Sequence, residues 1–212
     1  MAAPEPEHDC PRCPRLADFR QDQRKAHPAW FNGPVPCFGL AGARLLIVGL
    51  APGLQGANRT GRPFTGDHAG ELLYRTLLDF GFAAGRYAAD PGDGLTLRNT
   101  MIVNAVRCVP PQNKPLPAEI KACNMFLRER IISMQGLAAI VALGRVAHDA
   151  VLAALERRKS AFPFAHGAEH VLAGTKLFDS YHCSRYNTNT GVLTPEMFQA
   201  VFARVRNYLD PL

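Results

Sequence analysis

The cysteines are the residues of this chain whose spacing most directly suggests chemistry. Cys10 and Cys13 form a Cys-x2-Cys pair in a polar, proline-rich segment, and fourteen residues separate Cys108 from Cys123. Such a pair together with two further cysteines is typical of a four-thiolate site for zinc or a [4Fe-4S] cluster, and the spacing does not distinguish these metals. For Cys123 alone, the alternative is a core position on a helix face.

A glycine-rich segment from residue 49 to residue 67 is a second candidate site. It contains five glycines, which allow a ligand to approach the backbone closely, and it lacks the Gly-Lys-Ser/Thr ending of a Walker loop. Arg59 and Arg62 add positive charge to it. Asp67 ends the segment and is either a functional carboxylate or the N-cap of a helix that starts near residue 68.

Two further polar residues stand at the ends of apolar runs. The amide of Asn104 offers both a donor and an acceptor, so it can read the edge of a base or satisfy the backbone at a strand end. His182 can donate a hydrogen bond to developing negative charge, or be merely structural. The polar segment after His182 holds one arginine and one tyrosine, which suit a DNA groove or stacking on a base.

The elements that must position these residues alternate along the chain. Apolar runs predict strands at residues 44–50, 100–106, 137–144 and 176–181. Helical periodicity predicts helices at 70–80, 117–133, 145–155 and after the N-cap Thr194. This order predicts an α/β fold with a parallel sheet, whose ligands bind beyond the carboxyl ends of the strands, at loops 51–67, 107–116 and 182–190. Segments 83–94 and 157–170 are interpreted as surface insertions.

Composition limits the possible classes of protein. The 212 residues, 47% of them hydrophobic, predict a single folded domain over residues 1–212 and exclude a wholly disordered chain. A net charge of +6, mostly from arginine, favours a phosphate-bearing partner such as nucleic acid, although an arginine-rich proteome would give the same balance. The sequence has no apolar run long enough for a membrane span and no signal-peptide pattern, so we expect a cytoplasmic, nucleoid-associated monomer without membrane partners.

Taken together, the motifs resemble the family 5 uracil-DNA glycosylases. The family's first motif, GLAPG followed by GANRTGRPFTGD, stands here from Gly49 to Asp67 with two residues between its halves. An asparagine shortly before a cysteine matches the second motif at Asn104, and a histidine leading into Asn-Thr and Thr-Gly-x-Leu-Thr matches the third at His182. The resemblance extends from Cys10 to the last predicted helix, and the long first motif is highly specific.

The resemblance implies a three-layer α/β/α sandwich around a central four-stranded parallel sheet. It also implies a [4Fe-4S] cluster on Cys10, Cys13, Cys108 and Cys123, as in families 4 and 5. The implied activity is excision of uracil, and of other deaminated bases such as hypoxanthine, from DNA, leaving an abasic site. The alternatives are a strictly uracil-specific enzyme like family 4, which has a carboxylate where this chain has Leu50, and an iron–sulfur or zinc protein that binds nucleic acid without cleaving it.

The matched motifs also suggest roles for individual residues. Phe64 would stack on the flipped base and Asn104 would read its edge. His182 would donate to O2 of uracil, and Asp67 would position water or stabilise the cation, with a pKa that its helix N-terminus would lower. Related families have a proline after this histidine, where Cys183 stands here, so the loop's rigidity is in question. The backbone amides of Ala51 and Gly53 would contact the base or a water molecule. Five further residues are expected to contact DNA: Arg59, Arg62, Arg107, Arg185 and Asn187.

Overall fold

The computed structural model describes residues 4–172 and 174–210. Strands and helices alternate along most of the chain, as the apolar runs predict. The elements, in chain order, are α1 (Pro14–Ala26), β1 (Phe38–Gly39), β2 (Leu45–Gly49), α2 (Ala57–Thr60), α3 (His68–Asp79), β3 (Ala83–Ala84), β4 (Thr96–Leu97), β5 (Thr100–Asn104), α4 (Pro117–Ser133), β6 (Ala139–Leu143), α5 (Arg145–Ala154), β7 (Glu169–Leu172), β8 (Thr175–Ser180), α6 (Arg185–Asn189) and α7 (Pro195–Leu209).

Six strands form the main sheet, in the order β1-β5-β2-β6-β8-β7. The four inner strands run parallel, which confirms the predicted parallel core. The two edge strands, β1 and β7, are antiparallel and bring the count to six instead of four. Neither edge strand was predicted, because β1 has only two residues and the first half of β7 lies within the segment interpreted as an insertion.

The two faces of the sheet are covered by different helix pairs. Every residue of β2, β5 and β6 is buried, as expected for strands packed on both sides. Leu45 and Ile47 of β2 point into a core shared with α3 and α7, whereas Leu46 and Val48 point into a core shared with α4 and α5. This alternation produces the predicted three-layer α/β/α sandwich.

The helix predictions are confirmed within two residues at each end. The side chain of Thr194 accepts a hydrogen bond from the Met197 N–H and so caps α7 as predicted. Helix α1 was not predicted, because its sequence is strongly polar and it buries only Leu16 and Arg20. Leu16 joins a small third core with Val106, Cys123 and Phe126, which attaches α1 beside α4.

The topology brings the candidate loops to one edge of the sheet. Strand β2 ends at Gly49 and its neighbour β5 ends at Asn104, and these two residues are paired in register. Strand β8 ends at Ser180, two residues before His182. Within the described residues, no helix is both long enough and apolar enough to cross a membrane.

Candidate active site

An open cleft of about 770 Å³ lies over the carboxyl ends of these strands. Loops 51–67, 107–116 and 182–190 all contribute to its walls, as the strand-end rule predicts. All six residues singled out in the sequence for base binding or catalysis line this cleft: Ala51, Gly53, Phe64, Asp67, Asn104 and His182. The volume is large enough for a base together with its sugar, since small-molecule sites span roughly 300–1,000 Å³.

Gly49, Phe64 and Asn104 form the base of the cleft. A Cβ added to Gly49 would lie 2.4 Å from Asn104 Oδ1 and 2.5 Å from Phe64 Cζ, so only glycine allows both side chains to pack here. Asn104 is 4% exposed, and its Oδ1 has no hydrogen-bond partner among the described residues. A buried acceptor without a partner is costly, and here it is left available to a donor on a ligand.

Phe64 has an unusual backbone conformation. Its φ angle is 52°, in the left-handed region that costs a residue with a Cβ atom of the order of 1 kcal/mol. Its ring lies beside that of His182, with centroids 6.0 Å apart and planes inclined by 28°. The turn therefore directs an aromatic face toward the histidine that follows β8.

His182 is held in a form that can donate a hydrogen bond. Burial lowers the pKa of its ring to about 4, so the imidazole is neutral near pH 7 and carries one N–H. The side chain of Asn187 donates to the His182 carbonyl oxygen over 2.8 Å. Asn187, which the sequence suggested as a DNA contact, is therefore engaged in fixing the turn that carries His182.

Asp67 has the second of the two roles that the sequence left open, that of a helix N-cap, and it also lies in the cleft. Its Oδ1 accepts the Gly70 N–H over 3.1 Å, which confirms it as the N-cap of α3. Its Oδ2 lies close to Gly53 and Gly56, where an added Cβ would come within 2.9 Å and 2.4 Å of it. Burial raises the pKa of this carboxyl above its ordinary value, so the expected lowering by the helix terminus is wrong.

Two of the four arginines expected to contact DNA lie on the surface. Arg59 and Arg185 are exposed, and Arg185 lines the cleft. Arg62 is 5% exposed and forms a two-pronged ion pair with Asp93, with both N–O distances at 2.8 Å. The prediction that Arg62 contacts DNA is therefore wrong, because its guanidinium is committed inside the protein.

Arg107 is also an interior residue. It is 2% exposed, and its Nε donates to the Val35 carbonyl over 2.7 Å. Its remaining guanidinium nitrogens contact Cys37 Sγ at 3.3 Å and form an ion pair with Glu5. Arg107 thus ties the N-terminal segment to the loop after β5, and its predicted contact with DNA is wrong.

The four cysteines singled out by spacing surround one small cavity of about 20 Å³. Cys123 Sγ accepts the backbone N–H of Arg107 at 3.4 Å, and Arg20 Nη1 donates to Cys108 Sγ at 3.5 Å. Burial raises the pKa of the Cys108 thiol to about 11 and that of Cys123 to about 12. Two donors directed at sulfur suit thiolates that are bound to a positive centre, since metal ligation deprotonates cysteine.

Comparison with known proteins identifies the family. The family model described as the uracil DNA glycosylase superfamily matches residues 36–206. The chain belongs to this superfamily. Its relatives include a protein from Thermus thermophilus named type-5 uracil-DNA glycosylase, which is 45% identical over 93% of this chain and 92% of its own. A protein of the same name from Pyrobaculum aerophilum is 39% identical over 92% of this chain and 87% of its own. A third, from Mycobacterium bovis, is 40% identical over 93% of this chain and 77% of its own. These matches confirm the resemblance that the motifs suggested.

The glycosylase cleft contains residues that sequence analysis did not assign. His68 lines it, and its Nε2 lies 3.0 Å from Thr188 Oγ1, which joins the start of α3 to α6. Asn113 lines it from the loop after β5, and Tyr186 stands on its rim with 74% of its surface exposed. The strand-end rule already selected the loops of Asn113 and Tyr186, and the sequence noted that the tyrosine could stack on a base, but nothing distinguished Asn113 from its neighbours.

A second cluster of potential metal ligands lies outside the cleft. His148, His170 and Asp179 hold their ligand atoms within 4.8 Å of one another. Each histidine bonds one oxygen of Asp179, at 2.8 Å and 3.1 Å, and His148 Nε2 also bonds the Phe162 carbonyl at 2.9 Å. Burial lowers the His148 pKa, but the Asp179 carboxylate outweighs this and raises it overall. These hydrogen bonds engage the ligand atoms of the cluster with one another, and they anchor segment 157–170 to β8.

Proposed function

We propose that this protein excises uracil from DNA by hydrolysing the N-glycosidic bond. The proposal rests chiefly on the unpartnered Oδ1 of Asn104 at the base of the cleft. Uracil presents an N3–H donor beside its O4 acceptor, so one asparagine amide can accept from the first and donate to the second. Relatives named type-5 uracil-DNA glycosylase support the same activity.

The base must leave the DNA stack before it can reach Asn104. Unstacking costs a few kcal/mol, and least at a mispair such as one created by deamination. Phe64 then provides an aromatic surface for the flipped base. The exposed guanidinium groups of Arg59 and Arg185 are suited to the phosphates on either side, with Tyr186 at the rim of the cleft.

Bond cleavage separates charge between the base and the sugar. The C1′–N1 bond breaks, its electron pair leaves with the uracil ring, and water adds to the cationic C1′ carbon while releasing a proton to solvent. Neutral His182 donates its N–H to O2 as negative charge grows there, an interaction typically worth ~10²–10³ in rate. The Asp67 carboxylate stabilises the cation or orients the water.

The same site favours other deaminated bases as well. Hypoxanthine presents an N1–H beside O6, which repeats the donor and acceptor pattern that Asn104 reads in uracil. The cleft is wide, and its wall at Leu50 is apolar where family 4 enzymes have a carboxylate. We propose that hypoxanthine is excised in addition to uracil, and a panel of duplexes with uracil, hypoxanthine or xanthine tests this. Release of uracil alone would favour the specificity of family 4.

We propose that Cys10, Cys13, Cys108 and Cys123 hold a [4Fe-4S] cluster. Among the described residues, no three of these sulfurs lie within 4.8 Å of one another, whereas sulfurs around one tetrahedral zinc lie ~3.8 Å apart. When bound, the cluster supplies a cross-link between the N-terminal segment, the loop after β5 and α4. A brown protein with about four iron and four sulfide per chain supports the cluster; a colourless protein containing zinc contradicts it.

Excision itself is tested with a uracil-containing duplex and excess protein. Alkaline treatment should cut the strand at the uracil position, and a matched thymine duplex should remain intact. The Asn104→Ala variant should lose most of this activity while still binding the duplex. If the wild-type protein causes no strand break, the alternative of a nucleic-acid-binding protein without activity is favoured.

We further propose that the protein acts as a monomer, since one chain supplies every wall of the cleft.

A further inference from the structure

The Arg62–Asp93 ion pair is buried without any contribution to the cleft surface. The two side chains are 6% and 1% exposed, and Arg62 lies between the rings of Phe38, Tyr74 and Tyr87, at 5.3, 5.5 and 5.9 Å. Burying such a pair often gains no stability over apolar residues of the same size. We therefore look to conformation, and not to stability, for the role of the buried ion pair.

Segment 83–94, interpreted from sequence as a surface insertion, folds around this pair. Asp93 accepts the backbone N–H groups of Ala88 and Leu95, at 2.9 Å and 3.0 Å, in addition to the guanidinium. The resulting bonds lower the pKa of Asp93 far below its ordinary value, the contact with Arg62 contributing most. The carboxylate thus stays charged, and the segment that carries Tyr87 is fixed against Arg62.

The same side chains hold the backbone on both sides of Phe64. Tyr74 donates its hydroxyl to the Pro63 carbonyl over 2.6 Å, and Tyr87 donates to the Phe64 carbonyl over 3.3 Å while lying 3.5 Å from the Gly66 N–H. Arg62 Nε donates to Thr65 Oγ1 over 2.7 Å. Each bond therefore reaches the turn in which Phe64 adopts its left-handed φ of 52°.

We propose that Arg62, Asp93, Tyr74 and Tyr87 form a clamp that holds the strained Phe64 turn in its base-stacking position. They are positioning residues, since none of them lines the cleft. Without the clamp, the Phe64 backbone relaxes toward ordinary φ values and its ring moves away from the histidine beside it. The role in excision rests on the proposed function, whereas the effect on Phe64 itself does not.

A double-mutant cycle tests whether the clamp acts through Phe64. The Tyr87→Phe variant loses one hydroxyl and should excise uracil about tenfold more slowly in single turnover, with nearly unchanged affinity for DNA that carries an abasic site. In a Phe64→Ala background, the same change should lower the rate less than twofold. Tyr208→Phe, on an exposed ring far along the chain in α7, is the matched control and should leave the rate unchanged. A full tenfold loss in both backgrounds would overturn the clamp.

A second measurement does not depend on activity. Phenylalanine rings labelled with ¹³C report on Phe64 by NMR, and the Phe64 signal is assigned from its loss in Phe64→Leu. We expect this signal to shift or broaden in Tyr87→Phe and to stay unchanged in Tyr208→Phe. An unaltered Phe64 signal in Tyr87→Phe overturns the clamp even if this variant excises uracil more slowly. Absence of excision by the wild-type protein would instead overturn the proposed function, and the NMR comparison would still decide the clamp.

Discussion

Replacing Gly49 with alanine tests the geometry at the base of the cleft. The added methyl group would lie 2.4 Å from Asn104 Oδ1 and between 2.5 and 2.7 Å from two carbons of the Phe64 ring. Ordinary contact begins near 3.4 Å, so both side chains must retreat by about 1 Å. A displacement of that size at a reacting centre costs ~10²-fold in rate, or ~2.7 kcal/mol of transition-state stabilisation.

The fold should survive this change. Overpacking a core position costs ~1–3 kcal/mol, which is less than the ~5–15 kcal/mol that stabilise a typical domain. Single-turnover excision from a uracil duplex, with circular dichroism to confirm folding, measures the effect. Gly42→Ala is the matched control, because nothing lies within 4 Å of its added Cβ. A folded Gly49→Ala protein that excises uracil within threefold of wild type would refute the proposed arrangement of Phe64 and Asn104.

Four further predictions concern charge and protonation. Because the His182 pKa is lowered to about 4, a plot of the excision rate against pH should show no inflection near pH ~6.5 that is due to this residue. An inflection there that disappears in His182→Gln would contradict the assignment of His182 as a neutral hydrogen-bond donor. The same lowered pKa affects stability: the free energy of unfolding of the wild-type protein should fall as the pH drops from ~6.5 toward 4, because the histidine of the unfolded state is protonated first. Urea titration measures this dependence on pH, which should be weaker in His182→Gln. Asp67→Ala should slow turnover and also lose ~1 kcal/mol of stability with the cap, whereas Asp67→Asn keeps the cap and isolates the chemical role; unchanged single-turnover rates in both remove Asp67 from the mechanism. Arg59→Gln and Arg185→Gln should each reduce the salt dependence of DNA binding by about one unit of slope, and an unchanged slope would show that the side chain contacts no phosphate.

The sequence predicted the parallel core because continuous apolar runs such as that of β6 have few alternatives once helices flank them. It also placed Asp67, Asn104 and His182 at the correct edge, since strand ends alone determine that edge. It failed for Arg62 and Arg107, whose burial depends on Asp93 and Glu5. Those partners are distant in sequence, and no local pattern distinguishes an arginine that pairs inside the protein from one that meets a phosphate.

The same limit explains the elements that were missed. Helix α1 has almost no apolar face of its own, so its position depends on the third core and on the cysteines beside it. The antiparallel strand β7 is half-exposed, and its place at the edge depends on pairing with β8. The left-handed turn at Phe64 likewise depends on hydroxyls from α3 and from the segment before β4, which become neighbours only in the folded chain.

The order of the cysteines along the chain has a consequence for biosynthesis. All four are present once α4 has been translated, whereas His182 arrives only after β6, α5, the β7–β8 hairpin and the turn that follows. Synthesis proceeds from the N-terminus, so the four cysteines that we propose as cluster ligands leave the ribosome before the cleft can be completed. A nascent chain stalled between the emergence of α4 from the ribosome and the synthesis of His182 should therefore expose all four proposed cluster ligands but be unable to excise a base.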